Sequence, residues 1–226
     1  ANTTGVDNVG VGESALTAST TASNNTAVGS GALNANTTGA SNTGIGRAAL
    51  VANTTASNNT SVGHFSLVAN TTGTENVAVG VTAGGSTTTG SNNTYIGYDS
   101  GASATTNNNN TSVGSHTLQD NTGSNNTAIG TDALKENTTG GSNVAVGRQA
   151  GLNSTTGSSN TFVGHGAGES NAGASNSVAV GRSALASQHT NGANVAVGNS
   201  AGAGITTGTQ NTFVGSVAGD AMTTSN

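Results

Sequence analysis

Asn25-Thr26-Ala27-Val28-Gly29 is the stretch on which the reading of this chain turns. It returns as Asn42-Thr43-Gly44-Ile45-Gly46, as Asn59-Thr60-Ser61-Val62-Gly63, and so on through the chain. The closing glycine falls at Gly12, Gly29, Gly46, Gly63, Gly80, Gly97, Gly114, Gly130, Gly147, Gly164, Gly181, Gly198 and Gly215, with eleven spacings of 17 residues and one of 16. A fixed period of this size marks a stack of like units. Ahead of each glycine stands Val11, Val28, Ile45, Val62, Val79, Ile96, Val113, Ile129, Val146, Val163, Val180, Val197 or Val214. Thr or Val two residues earlier completes a period-2 pattern, which predicts a short strand at every pentad with Val or Ile as an interior core ladder. On that reading Val113→Asp buries an unpartnered charge. The glycine predicts a corner, where a missing Cβ permits positive φ or a close backbone approach.

Composition fits stacking better than a globular core. Among 226 residues 31% are hydrophobic, 2% aromatic and 6% charged, whereas an ordinary domain is nearer half apolar. Disordered chains are usually rich in proline and charge, and here proline is absent and the period strict. Proline-free sequence also suits sheets, whose ladders proline would interrupt. With four Lys plus Arg and a net charge of −5, no basic patch could neutralise several phosphates, so no nucleic-acid partner is expected. No apolar run nears the ~20 residues that span a bilayer, and no charged-then-apolar leader is present. Without cysteine there is no disulfide and no thiolate metal site.

Between pentads, Ala, Ser or Thr stands three residues past the glycine, followed by Leu or Gly. Leu16, Leu33, Leu50, Leu67, Leu118, Leu134 and Leu185 form one set, and Gly84, Gly101, Gly151, Gly168, Gly202 and Gly219 the other. Tyr95, Phe162 and Phe213, the aromatic residues at the centre of a pentad, all occur in units with this Gly, so a ring is expected to fill space that leucine vacates. Thr-Thr-Gly then predicts a second short strand and turn. The 16-residue spacing comes from Asp120-Asn121-Thr122-Gly123, which lacks one threonine of Ala35-Asn36-Thr37-Thr38-Gly39; the Val-Gly register should survive it.

Seventeen residues are too few for a helix pair, and Asn, Thr and Gly oppose helix. The expected fold is all-β, a parallel β-solenoid or β-roll of about 13 coils and a single repeat domain over 1–226. At about 4.8 Å per rung it would form a rod of roughly 60 Å, with stacked Asn side chains bonding from rung to rung. The chain opens in mid-repeat, Ala1-Asn2-Thr3-Thr4-Gly5 matching Ala35–Gly39, and closes in mid-repeat at Met222-Thr223-Thr224-Ser225. Neither end carries the polar cap that a free-standing solenoid needs, which suggests a segment of a longer fibre or end-to-end stacking. Each coil buries little apolar surface against the entropy of ordering 17 residues, so a homo-oligomer, a trimer above all, is expected.

Asn176-Ser177-Val178-Ala179-Val180-Gly181 resembles the head-repeat motif of trimeric autotransporter adhesins, with Asn76–Gly80 and Asn194–Gly198 close to it. The resemblance implies a left-handed parallel β-roll, three of which pack about a common axis. The longer unit, Asn25–Leu33 followed by Asn36–Gly39, is similar to repeats of bacteriophage tail fibres and related surface fibres. These resemblances imply an extracellular, cell-surface or virion location. They imply a cell-surface receptor or glycan partner if the chain is an adhesin head.

Sites are scarce. Gly198-Asn199-Ser200-Ala201-Gly202 fits the G-x-S-x-G nucleophile pattern, which requires a strand-to-helix elbow, and is better explained as one copy of the repeat. Gly44-Ile45-Gly46-Arg47-Ala48-Ala49 loosely resembles a dinucleotide fingerprint but lacks the βαβ context. His64 and His165 share a phase six coils apart, and His116 and His189 occupy other phases, so no metal site is expected. Glu13, Glu75, Asp99, Asp120, Asp132, Glu136, Glu169 and Asp220 form no carboxylate ladder. Asn-x-Thr sequons such as Asn36-Thr37-Thr38 come with the repeat. The threonine pairs Thr20-Thr21, Thr37-Thr38, Thr54-Thr55, Thr71-Thr72, Thr88-Thr89 and Thr105-Thr106 stack as an ice-binding surface would, although only one of each pair would face out. The expectation is a non-enzymatic fibre segment without cofactor or metal. An adhesin head and an ice-binding solenoid are the alternatives.

Overall fold

The computed structural model describes residues 2–190 and 192–224. Ala1 and Ser225, which belong to the incomplete first and last repeats, lie outside the described residues. The chain is all-β, a parallel β-solenoid of thirteen strands and about 12 turns on a 17-residue repeat. Its contacts fall into two units, Ala1–Asn110 and Thr111–Asn226. The first holds β1 (Val9–Val11), β2 (Thr26–Val28), β3 (Thr43–Ile45), β4 (Thr60–Val62), β5 (Val77–Val79) and β6 (Thr94–Ile96). The second holds β7 (Thr111–Val113), β8 (Thr127–Ile129), β9 (Val144–Val146), β10 (Thr161–Val163), β11 (Val178–Val180), β12 (Val195–Val197) and β13 (Thr212–Val214).

Within each unit every strand pairs in parallel with the next, like residue on like residue: Thr26 on Thr43, Ala27 on Gly44, Val28 on Ile45. The pairing of β7 with β8 keeps this register, Thr111 on Thr127 and Val113 on Ile129, across the one-residue deletion. The shortened Thr side absorbs it. Asn121 reaches the carbonyl of Gly123, two residues on, where Asn36 reaches that of Gly39, three on.

The strand faces are the reverse of the expected ones. Ala27, Ala78, Ala128, Ala145 and Ala196, at the strand centres, are fully buried, whereas Ile45, Val79, Ile96, Ile129 and Val197 are 37–40% exposed. Val28, Val62, Val113, Val146, Val163 and Val180 are half-buried, and Val11 and Val214 are exposed. The proposed core ladder is therefore an outward row. A three-residue strand puts its first and third residues on one face and its centre on the other. The coil is too narrow inside for a branched side chain at every rung, so volume overrides hydropathy, and Ala, Ser or Gly takes the inner position except where Tyr95, Phe162 or Phe213 does. The interior apolar layer is completed by the Ala and Leu that follow the corner, such as Ala32 with Leu33 and Ala133 with Leu134.

All thirteen corner glycines have positive φ, from 124° to 140°. A Cβ on Gly147 would lie 2.7 Å from the carbonyl of Gly164 in the next coil. The corner therefore needs glycine for backbone conformation and for stacking distance alike.

Among the described residues the expected second strand does not form; each coil has one strand, and its other side is turns and bends. There the N–H groups of Thr37 and Thr38 both donate to the carbonyl of Thr54. Two consecutive donors on one acceptor cannot continue the alternating pattern of a ladder.

Two columns of buried asparagine join the sides of the coil. Asn25 Nδ2 donates to the carbonyl of Gly39 across the interior, while its Oδ1 accepts the backbone N–H of Asn42 in the next coil. Asn36 Nδ2 donates to the same Gly39 carbonyl, and Asn53 Nδ2 donates to Asn36 Oδ1. The second unit repeats this, Asn126 and Asn137 sharing the carbonyl of Gly140. Each crossbar satisfies backbone groups that burial would otherwise leave unpaired at about 1–3 kcal/mol apiece. About half of the buried side chains are thus polar, which explains how so little apolar sequence folds. Where serine replaces asparagine at Ser177, the longer Gln188 stands in the partner column of the same coil and donates to Ser177 Oγ at 3.2 Å.

The Leu/Gly alternation has a geometric origin. This position is left-handed in every coil, with φ 50° at Leu118 and 61° at Gly151. A Cβ on Gly151 would lie 2.8 Å from Phe162 Cδ2, and one on Gly168 would lie 2.4 Å from Phe162 Cδ1. Tyr95 sits in the same way between Gly84 and Gly101, and Phe213 between Gly202 and Gly219. Each ring occupies the space of two stacked leucines, one in its own coil and one in the coil before. The six glycines are three such pairs. Burial pushes the Tyr95 hydroxyl well above the ordinary phenol range, against a smaller downward pull from the neighbouring Thr87, although the two do not reach hydrogen-bond geometry.

Candidate functional surfaces

Three columns of side chains face outward, each set by its phase in the repeat. The first is the Val/Ile row with the Thr or Val two residues before it, as in Thr43 with Ile45, Val77 with Val79 and Val195 with Val197. In register on neighbouring strands, these residues make a surface two side chains wide, β-branched throughout. Its Val/Ile file is apolar on every strand while the other file is Thr on most of them, and an exposed apolar strip that continues from strand to strand marks a contact site.

The second column is threonine. The inner member of each pair, Thr37, Thr54 and Thr71, is half-buried, and its hydroxyl donates to the carbonyl of the next coil's threonine at 3.1–3.2 Å. The outer member, Thr38, Thr55 or Thr72, is exposed. The outer hydroxyls of these coils thus form a single file, as the alternation of neighbouring side chains requires.

The third column follows the corner glycine. In the first unit it carries Arg47, His64, Val81 and Tyr98, and in the second Arg148, His165, Arg182 and Asn199, all exposed. Three of the chain's four basic residues lie here. Arg47 Nη1 lies 3.1 Å from His64 Nε2, and its guanidinium stands 5.2 Å from the centre of the Phe65 ring, against which His64 also packs.

His64 and His165 thus sit in different units beside arginines, while His116 faces Asp132 at 3.8 Å and Lys135 lies 4.0 Å from the same carboxylate. Among the described residues no group of three His, Cys, Asp or Glu side chains could hold a metal. Gly198–Gly202 is one copy of the corner: Gly198 turns at φ 138°, Ser200 N–H donates to the Arg182 carbonyl at 2.8 Å, and Gly202 makes room for Phe213. It is not a strand-to-helix elbow. Gly44–Ala49 likewise runs from strand through corner, with Gly44 buried at a strand centre. No helix among the described residues is long and apolar enough to cross a membrane. Compared with protein-family models, curated proteins and solved structures, the chain matches none.

Proposed function

We propose that this chain is a structural segment, shaft or head, of an extracellular or virion appendage, assembled as a homotrimer along the Val/Ile row. The supporting observation is that row: β-branched apolar side chains face outward on every strand, in register within each unit. Left in water they forgo about 25 cal/mol for each Å² that a partner could cover. A second copy presents the same row at the same rung spacing, so contacts repeat coil by coil without an adapting surface. The likeness of Asn176–Gly181 to trimeric adhesin heads favours three copies over two. The role is mechanical, the rungs transmitting load through backbone bonds and asparagine crossbars.

Ile129→Asp tests this reading. The substitution lies outward, so the single chain should keep its far-ultraviolet circular dichroism while the assembly falls to the 21.4 kDa of one chain by sedimentation. An assembled mass unchanged by Ile129→Asp would remove the row from the interface.

A further inference from the structure

The column behind the corner of the second unit carries more than a solvated face requires. Arg148, His165, Arg182 and Asn199 stand on successive coils. The N–H groups of Gly166, Ser183 and Ser200 donate to the carbonyls of Arg148, His165 and Arg182 at 2.8–3.0 Å, which fixes the spacing of the column. The side chains are tied as well. Arg148 Nη1 lies 3.1 Å from His165 Nε2, and Arg182 Nε donates to Asn199 Oδ1 at 3.0 Å. Each guanidinium has five N–H donors, and one is engaged here, so the rest are held in place toward solvent. Among the described residues no carboxylate pairs with either arginine. Glu169, in the coil between the two arginines, has its Oε2 3.1 Å from where a Cβ of Gly166 would stand. In a chain of net charge −5, two oriented guanidiniums without counter-charges form a receptor for anions.

The spacing identifies the class of anion. Arg148 and Arg182 are two rungs apart, about 9.6 Å at the usual strand separation. A polysaccharide of alternating neutral and acidic sugars carries one carboxylate per disaccharide, a comparable distance along an extended chain. We propose that this column binds such a polysaccharide lengthwise. Arg148 and Arg182 take successive carboxylates in the planar two-point geometry that guanidinium favours, and His165 and Asn199 meet the hydroxyls of the sugars between. Two cations are too few for strong sequence-independent attachment to nucleic acid, whose affinity grows with the number of phosphates neutralised.

The test is calorimetric titration with a hyaluronan octasaccharide, whose carboxylates lie on alternate sugars. The whole chain should bind it. Arg148→Gln with Arg182→Gln should weaken binding at least tenfold while assembly and circular dichroism stay unchanged, and Arg47→Gln in the other unit should not reproduce that loss. Absence of binding, equal binding by the double variant, or equal affinity for single-stranded DNA of the same charge would each overturn the proposal. None of these outcomes bears on the Val/Ile interface, which Ile129→Asp tests separately.

Discussion

Ala145→Asp is expected to lower the unfolding midpoint by about 15 °C, while Val146→Asp, one residue later, leaves the strand signal intact at 25 °C. Ala145 is fully buried, paired in register with Phe162 on one side and Ala128 on the other. A carboxylate there enters a layer of alanine, leucine and an aromatic ring, where no cation could pair with it. An unpaired buried charge costs several kcal/mol, on the order of 4, and each kcal/mol moves the midpoint of a unit this size by about 4 °C. Val146 faces outward, so a charge there remains hydrated in the single chain and removes only what assembly contributes. Thermal melts of the two variants, followed by circular dichroism, should therefore separate widely. The opposite order would restore the Val/Ile row to the interior.

Gly168→Leu should be nearly as damaging, and its repair is specific. The new Cβ would begin 2.4 Å from Phe162 Cδ1, with a whole side chain to follow. Overpacking of this kind costs about 1–3 kcal/mol. Phe162→Ala on its own leaves a cavity and should cost about 3–5 kcal/mol. Combined with Gly151→Leu and Gly168→Leu, however, Phe162→Ala recreates the Ala128–Leu134 arrangement that the same unit already holds. The triple variant should recover most of the stability that either change alone loses, a strong non-additivity of the kind expected for touching residues. Additive losses in denaturant titration would mean that the ring and the two glycines do not share one space.

The sequence shows the period, the strand positions, the corner glycines and the absorbed deletion because each follows from counting residues or from one residue's conformational range. It also shows that rings accompany glycines, since that correlation lies within one unit. The second glycine of each pair belongs to the coil before, and only stacking reveals it. The inward face of the strand is hidden for a different reason. Val28 outranks Ala27 in hydropathy, and both Val28 and Thr26 outrank it in β-propensity, yet a coil this narrow selects its interior by volume. The asparagines read as a ladder but not as an interior, because the shared Gly39 carbonyl joins residues 11 apart. Arg148, His165 and Arg182 can be found by adding 17. The histidines considered alone, as metal ligands, conceal that arrangement.

In the proposed assembly the outward Val/Ile row is covered by other copies of this chain. Sedimentation equilibrium of the wild-type protein at tens of micromolar measures it most directly. A mass three times the 21.4 kDa of one chain is the expected result; a folded species at 21.4 kDa across that range would contradict it.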